Sequence, residues 1–378
     1  MIHHPSFSLS LNRGIGGLNR GIGGVLVLLL FLCTACGKKD LPHSDEAPLY
    51  FRIADTLGIR VADVYNPWQN GERLGRYYLV EDSMEDVPAD GVRLQVPLQR
   101  IATTSATHIG YLYALGATDK VVAMATPQLV YNKPVQPVID LGEDLTPNVE
   151  QLLLSRPDAL LVSAYGQNMQ NTDRIRQAGI PVIYMVEWRE ENPLARMQWI
   201  RFVGALTGKD SQADSIATAV CEAYHYEQAI GVNVTPRRSI MSGASFRGTW
   251  YVPAGNTYMG RLFRDAGAGY AFAERTSDGS IPLNIEQALQ VFSNADVWVG
   301  ANAYTFDELR KIDDKQTWFR AFRNGEVYNF YRRQNDTGGN DFWETGVVHP
   351  EYILRDLRSA LYPETMPDYQ PVFLQRLK

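Results

Sequence analysis

The sequence predicts an α/β protein of two doubly wound lobes joined by one long backbone helix, with a small β extension at the N-terminal side. Three observations predict it. First, a unit of capped helix start, short helix and buried strand occurs twice. It runs from Asn148-Val149-Glu150-Gln151 through Arg156-Pro157-Asp158 into the apolar run 159–162, and returns as Asn284-Ile285-Glu286-Gln287 leading to Asp296 and the apolar run 297–299. In each copy Asn is a good N-cap, and Gln three residues on can close a capping box. Pro157 stops the first helix, and the apolar run after it reads as a strand covered on both faces. Second, strand and helix patterns alternate around each copy, which argues for parallel sheets. Third, a long amphipathic helix separates the copies. It opens at Ser211-Gln212-Ala213-Asp214, places Ala213, Ile216, Ala217, Val220 and Tyr224 on one face, and ends at Gly231. Roughly 20 residues make a rod of about 30 Å.

The chain divides accordingly into a signal segment (1–36), a tether and β extension (37–98), a first lobe (99–208), the interlobe helix (209–232) and a second lobe (233–378). A length of 378 residues suits two lobes with additions, and 45% apolar with 21% charged residues is a globular composition. The net charge of −6 gives no reason to expect nucleic acid. Six histidines, at 3, 4, 43, 108, 225 and 349, form no neighbouring set of zinc ligands, and no metal or cofactor is called for.

The N-terminus reads as an export signal. Arg13 and Arg20 precede an apolar core at 25–32, far short of the roughly 20 residues that span a bilayer. The core runs into Cys33-Thr34-Ala35-Cys36-Gly37, which resembles a lipobox with Cys36 as the lipidated residue; Cys33 is an unusual member of that motif. Residues 11–17 recur letter for letter as 18–24, inside the segment expected to be cleaved. Cys221 then remains alone, so stability has to come from the cores and not from a disulfide. Its mid-helix position reads as a structural thiol and not as a nucleophile.

Along the chain, 50–54, 59–65 and 77–80 read as strands of a small antiparallel extension, with Asn66-Pro67-Trp68 expected to pack in a gap, the alternative being that it faces a ligand. In the first lobe, 101–104, 121–125, 159–162 and 182–186 are strands, and 107–115 and 169–178 are helices. A helix over 193–206 ends at Gly208. In the second lobe, 240–244 is a strand, 249–252 a hairpin arm and 258–266 a helix stopped by Gly267. Segments 307–311 and 317–322 are short helices, 327–331 is a strand, and 351–361 is an amphipathic closing helix.

These features coincide with a known family. Arg100-Ile101-Ala102, Leu115-Gly116-Ala117, Pro157-Asp158, the paired Asn-x-Glu-Gln motifs, Ala266-Gly267-Ala268, Gly325-Glu326-Val327-Tyr328 and Leu361-Tyr362-Pro363-Glu364 occur in family order. Over roughly 100–363 the chain resembles the substrate-binding proteins of ABC importers for ferric siderophores, haem and cobalamin. The extension at 49–98 lies outside that pattern. The resemblance implies a monomeric, lipid-anchored, exported protein that hands a small-molecule metal chelate or macrocycle to an ABC permease dimer with its ATPase subunits. It also implies that one glutamate per lobe docks into arginine pockets of the permease; the matching positions are Glu150 and Glu286. Each falls in the first turn of its helix, where the dipole favours an anion.

In open α/β sheets ligands bind beyond the carboxyl ends of strands. The aromatic and cationic residues expected there are Tyr131, Tyr165, Trp188, Arg189, Phe246, Arg247, Trp250, Tyr304 and Arg332. Flat rings suit a macrocycle or catechols, and guanidinium pairs with anionic oxygen. Tyr131, Tyr165 or Tyr304 could ligate a haem iron. The expected cargo is an iron chelate, with cobalamin as the alternative. A lipoprotein capturing cargo for an outer-membrane receptor at the cell surface is a further alternative, for which Lys38-Lys39-Asp40 is a mild sorting hint. Catalysis is not expected. Gly243-Ala244-Ser245-Phe246-Arg247-Gly248 has one residue too many for a nucleophile elbow, and Gly267-Ala268-Gly269 lacks the third glycine of a dinucleotide loop. His108 and His349 show no acid partner in the sequence.

Overall fold

The structure is a computed structural model that describes residues 46–56, 58–82, 86–165 and 172–378. The signal segment, Cys36, the tether up to residue 45, and Gly166-Gln167 with the start of the helix expected at 169 lie outside the described residues.

The first lobe is a five-stranded parallel sheet of β5 (Ile101–Thr103), β6 (Val121–Met124), β7 (Ile139–Asp140), β8 (Ala159–Ser163) and β9 (Val182–Met185), in the order β7-β6-β5-β8-β9. The order reverses between β5 and β8. Every residue of β5, β8 and β9 is buried, as the unbroken apolar runs require of strands covered on both faces. The second lobe holds β10 (Ser239–Ser242), β11 (Ala244–Phe246), β12 (Thr249–Pro253), β13 (Gly269–Tyr270), β14 (Ser280–Leu283), β15 (Val297–Val299), β16 (Val327–Asn329) and β17 (Gln375–Arg376). Its main sheet runs β13-β10-β15-β16-β17, parallel except for β17 at the edge, and reverses order between β10 and β15. Strands β11, β12 and β14 form a separate antiparallel sheet.

The connecting helix is a single element of 23 residues, Asp210–Val232, about 35 Å long at 1.5 Å per residue. It begins at Asp210 with Lys209 as a cap lacking a side-chain bond, one residue before the expected opening at Ser211. Ala213, Ala217, Val220 and Tyr224 are buried as the apolar periodicity demands, and Glu227 lies on the same face. That acid is buried because Arg355 holds it at 2.8 Å and Arg358 also pairs with it, both from the closing helix Pro350–Leu361. The helix expected over 193–206 is two pieces, Pro193–Met197 and Trp199–Thr207, meeting at Gln198. Cys221 is half-buried, and burial pushes its thiol up to about 11, which keeps it protonated and inert at neutral pH.

The two repeated motifs are capped differently. Asn148 accepts from the N–H groups of Glu150 and Gln151, whereas Asn284 and Gln287 close a full reciprocal box. The glycine pair at 267–269 follows the helix Tyr258–Asp265, and Gly267 takes φ of +79° to end it.

The N-terminal sheet departs from expectation in two ways. It has a fourth strand: β1 (Phe51–Thr56), β2 (Ile59–Tyr65) and β3 (Arg73–Val80) are antiparallel, but β4 (Val92–Gln95) joins β3 in parallel. It is also fused to the first lobe's core. Phe51 packs edge-on against Trp199 and Phe202 at 4.9 and 5.5 Å. The Tyr77 phenol donates to Val182 O and accepts from Tyr184 N–H, at 3.2 and 2.8 Å, capping the edge strand β9. Such capping satisfies backbone groups that an open sheet edge would leave unpaired.

Candidate ligand site

The carboxyl ends of β8 and β9 are paired through Ser163 and Met185, so the residues just beyond them emerge side by side. Tyr165 follows β8, and Trp188 sits in the tight turn Glu187–Arg189 that follows β9. Their rings stack with centroids 5.2 Å apart and planes 29° apart. The Trp188 indole N–H donates to Ala164 O at 3.1 Å, and the Arg189 guanidinium lies 5.5 Å from the Trp188 ring centre.

From the second lobe, Pro253, Tyr258, Asp278 and Trp343 face Trp188, Arg189 and Arg196 across a pocket of about 270 Å³. The walls touch at one end, where Arg189 Nη1 donates to Asp278 O at 3.2 Å and Asn256 Nδ2 donates to Glu191 at 2.7 Å. Arg196 is the deepest cation: only 7% exposed, it lies 5.0 Å from the Tyr258 ring centre, and its Nε has no hydrogen-bond partner among the described residues. Glu187 behind it is fully enclosed, with Oε2 likewise unpartnered and its carboxyl raised above the usual range by burial. His108 is sealed between Thr103 and Ser163 at 2.7 and 3.2 Å, with Glu187 at 4.0 Å. Burial lowers that imidazole to about 3, so it is neutral. His349 does have an acid partner, Glu351 at 2.8 Å, two residues away.

A second contact between the lobes lies along the loop after β6. The backbone N–H groups of Tyr131 and Asn132 donate to Glu344 at 2.6 and 2.8 Å, and Asn132 Nδ2 donates to Asp341 at 2.7 Å. Arg333 covers the Tyr131 ring at 5.4 Å. Tyr131 therefore belongs to this clasp.

The remaining residues expected at the cleft are distributed as follows. Phe246 and Arg247 sit exposed at the β11–β12 turn, the guanidinium 5.2 Å from its neighbour's ring, with Arg247 at φ +52°. Tyr304 is exposed and packs on Tyr331 at 5.2 Å, and Arg332 is exposed. Trp250 is corrected: it is 1% exposed, packs against Trp298 and Phe319 at 5.2 and 5.5 Å, and donates to Ser242 O. It forms core and presents no face to a ligand. Trp343, 52% exposed on the long loop after β16, was outside the sequence-based set. The signal for it was present, since it follows the strand end that supplies Arg332.

Glu190 and Glu344 give the molecule a pH signature. Glu190 accepts the N–H groups of Leu49 and Tyr50 and the Trp199 indole, all at 3.1 Å. Burial pushes both carboxyls up to about 7, more than these hydrogen bonds pull them down. From an unfolded value near 4.5 up to about 7, the native state holds protons that the unfolded chain has released. Stability is therefore greatest on the acid side and falls as pH rises, by at most about 1.4 kcal/mol per pH unit for each group. Urea denaturation at pH 5, 6, 7 and 8 should show a shallower slope for Glu344→Gln than for wild type. Parallel slopes would mean that Glu344 titrates normally.

The exposed acids of the repeated motif, Glu150 and Glu286, lie in the first turns of Val149–Ser155 and Ile285–Phe292. Glu286 pairs with Lys315 at 2.5 Å, and this bond lowers its carboxyl; Glu150 has no ion-pair partner among the described residues.

The family signature described as periplasmic binding protein matches residues 101–331. An uncharacterized lipoprotein of Methanocaldococcus jannaschii is 22% identical over 334 residues, covering 80% of this chain and 78% of the relative. An uncharacterized ABC transporter substrate-binding lipoprotein of Bacillus subtilis is 23% identical over 302 residues, covering 76% and 87%. Among solved structures, a periplasmic heme binding protein from Pseudomonas aeruginosa shares the fold with a TM-score of 0.58 at 17% identity, over 74% of this chain and 98% of that one. The signature spans more than half of the sequence, and the two parallel sheets joined by one 23-residue helix match the structural neighbour. The chain belongs to the periplasmic binding protein family, with the two-lobed fold of its class III members.

Proposed function

We propose that this chain is the substrate-binding component of an ABC importer and that it carries an iron chelate, a ferric siderophore or haem, in the cleft between its lobes. Lipid on Cys36 would hold it at the membrane, and Glu150 and Glu286 would meet the permease. The observation that carries the cargo reading is the wall of the 270 Å³ pocket, which Trp188 and Trp343 line and where the buried Arg196 has an Nε donor without a hydrogen-bond partner among the described residues. A buried guanidinium donor left without an acceptor is costly, and an anionic ligand oxygen would complete it. The flat rings suit a planar or catecholate ligand, and the arginine suits its carboxylate or phenolate oxygen. The name of the Bacillus subtilis relative supports the importer role, and that of the Pseudomonas aeruginosa structure supports an iron-bearing cargo. Small-molecule sites usually measure roughly 300–1,000 Å³, so a macrocycle enters only as the Arg189–Asp278 and Asn256–Glu191 bridges open.

The test is a tryptophan-fluorescence titration of residues 37–378 with ferric catecholate and hydroxamate siderophores, haem and cobalamin, corrected for ligand absorption and repeated by calorimetry. Saturable binding of an iron chelate, weakened about a hundredfold by Arg196→Gln for loss of a buried charged contact, is the expected result. Saturation by cobalamin alone would replace the cargo, and silence across the panel would reject it.

A further inference from the structure

Two residues at the N-terminal sheet stand directly behind residues that line the ligand cleft, and neither lies in the segment that carries the family signature. The first is Trp68, on the turn between β2 and β3. Asn66 shapes that turn, its side-chain oxygen accepting the Trp68 N–H and its own N–H donating to Glu72 O, both at 2.9 Å. The Trp68 ring then lies 6.2 Å from Trp188 at 51°, while Trp188 is stacked on Tyr165. Trp188 thus has an aromatic neighbour from its own lobe and another from the extension. The second is Tyr50, whose N–H donates to Glu190 at 3.1 Å and whose phenol lies in the electrostatic field of Arg189, Glu190, Glu191 and Asp278, all residues of the cleft wall. The sheet that carries both is anchored through Tyr77 and Phe51, so its side chains hold fixed positions relative to the cleft.

We infer that the N-terminal sheet backs the wall of the ligand site and that Trp68 is a positioning residue, fixing the plane in which Trp188 meets the cargo. The inference rests on the reading of the cleft as the cargo site. The turn Glu187–Arg189 is three residues long, and its half-buried indole is held by the Ala164 carbonyl and the Tyr165 ring from its own lobe and by Trp68 from the extension. Without Trp68 the ring keeps its Ala164 bond and Tyr165 stacking but loses its neighbour from the extension, so its plane is less firmly fixed where it lines the cleft.

The experiment compares Trp68→Ala and Trp68→Phe with a control, Trp318→Ala, which removes an indole that is 56% exposed in the second lobe. Hydrogen exchange of the backbone at 187–190 is read first. Faster exchange is expected in Trp68→Ala, near-wild-type exchange in Trp68→Phe, and no change in the control. Affinity for the compound that saturates the wild-type chain is read second. It should weaken about tenfold in Trp68→Ala, recover largely in Trp68→Phe, and hold in the control. A Trp68→Ala protein with wild-type exchange at 187–190 and wild-type affinity overturns the inference. Should no compound bind wild type, the cargo reading fails by itself, and exchange alone decides: unchanged protection at 187–190 then refutes the positioning role.

Discussion

Reversing Glu150 and Glu286 together to lysine is expected to reduce transport to background while leaving cargo affinity in solution unchanged. Both carboxylates are exposed, and each stands in the first turn of a helix capped by asparagine, so the backbone beneath them is fixed by Asn148 and Asn284 and not by the acids. The pair of Glu286 with Lys315 does not argue against docking. An exposed ion pair contributes about 0–1 kcal/mol, so a partner's arginine can displace the lysine at little cost. Each reversal sets a cation against a helix N-terminus, a penalty of about 0.3–1 kcal/mol that a folded chain of this size absorbs. Uptake of labelled cargo by cells carrying the matching permease and ATPase, with affinity measured on the purified variants, separates the two effects. Loss of affinity would place the glutamates in the binding machinery, and undiminished uptake would remove them from docking.

What the sequence showed and what it concealed divide along a physical line. The repeated motif, the long helix and the parallel strands were legible because caps, apolar periodicity and proline stops are local signals. Trp250 was misplaced because a strand end was taken to stay open to solvent. The hairpin pairs Ser245 with Trp250 and Phe246 with Thr249, so the side chains alternate, leaving Phe246 exposed and turning Trp250 into the core. The buried acids carried no local sign at all. Glu190 and Glu344 are satisfied by backbone N–H groups 141 and 213 residues away in sequence, and only the folded chain brings those together. Trp343 was missed because the loop after β16 is longer than the pattern around Arg332 and Arg333 suggested. β4 was missed because four residues pairing in parallel with β3 leave little periodicity to read.

Gly110→Ala is expected to destabilise the protein by about 3 kcal/mol or more and to weaken cargo binding, although alanine is the better helix former. Gly110 is buried in the helix Ala106–Ala114, and a Cβ added there would stand 2.3 Å from the Glu344 carbonyl oxygen and 2.6 Å from its carbon. Those atoms are backbone, so no rotamer change relieves the clash; the segment Thr345–Val348 has to move away from the first lobe. Helix propensity favours alanine by about 1 kcal/mol, whereas overpacking costs about 1–3 kcal/mol and each charge-assisted bond from Tyr131 and Asn132 to Glu344 contributes about 1.5–3 kcal/mol. The penalties exceed the gain. The same contact helps to hold the lobes at a fixed distance outside the long helix, so displacing it changes the width of the cleft as well as stability. Urea denaturation measures the first effect and the ligand titration the second. A loss below about 1 kcal/mol would mean that the Glu344 backbone yields freely.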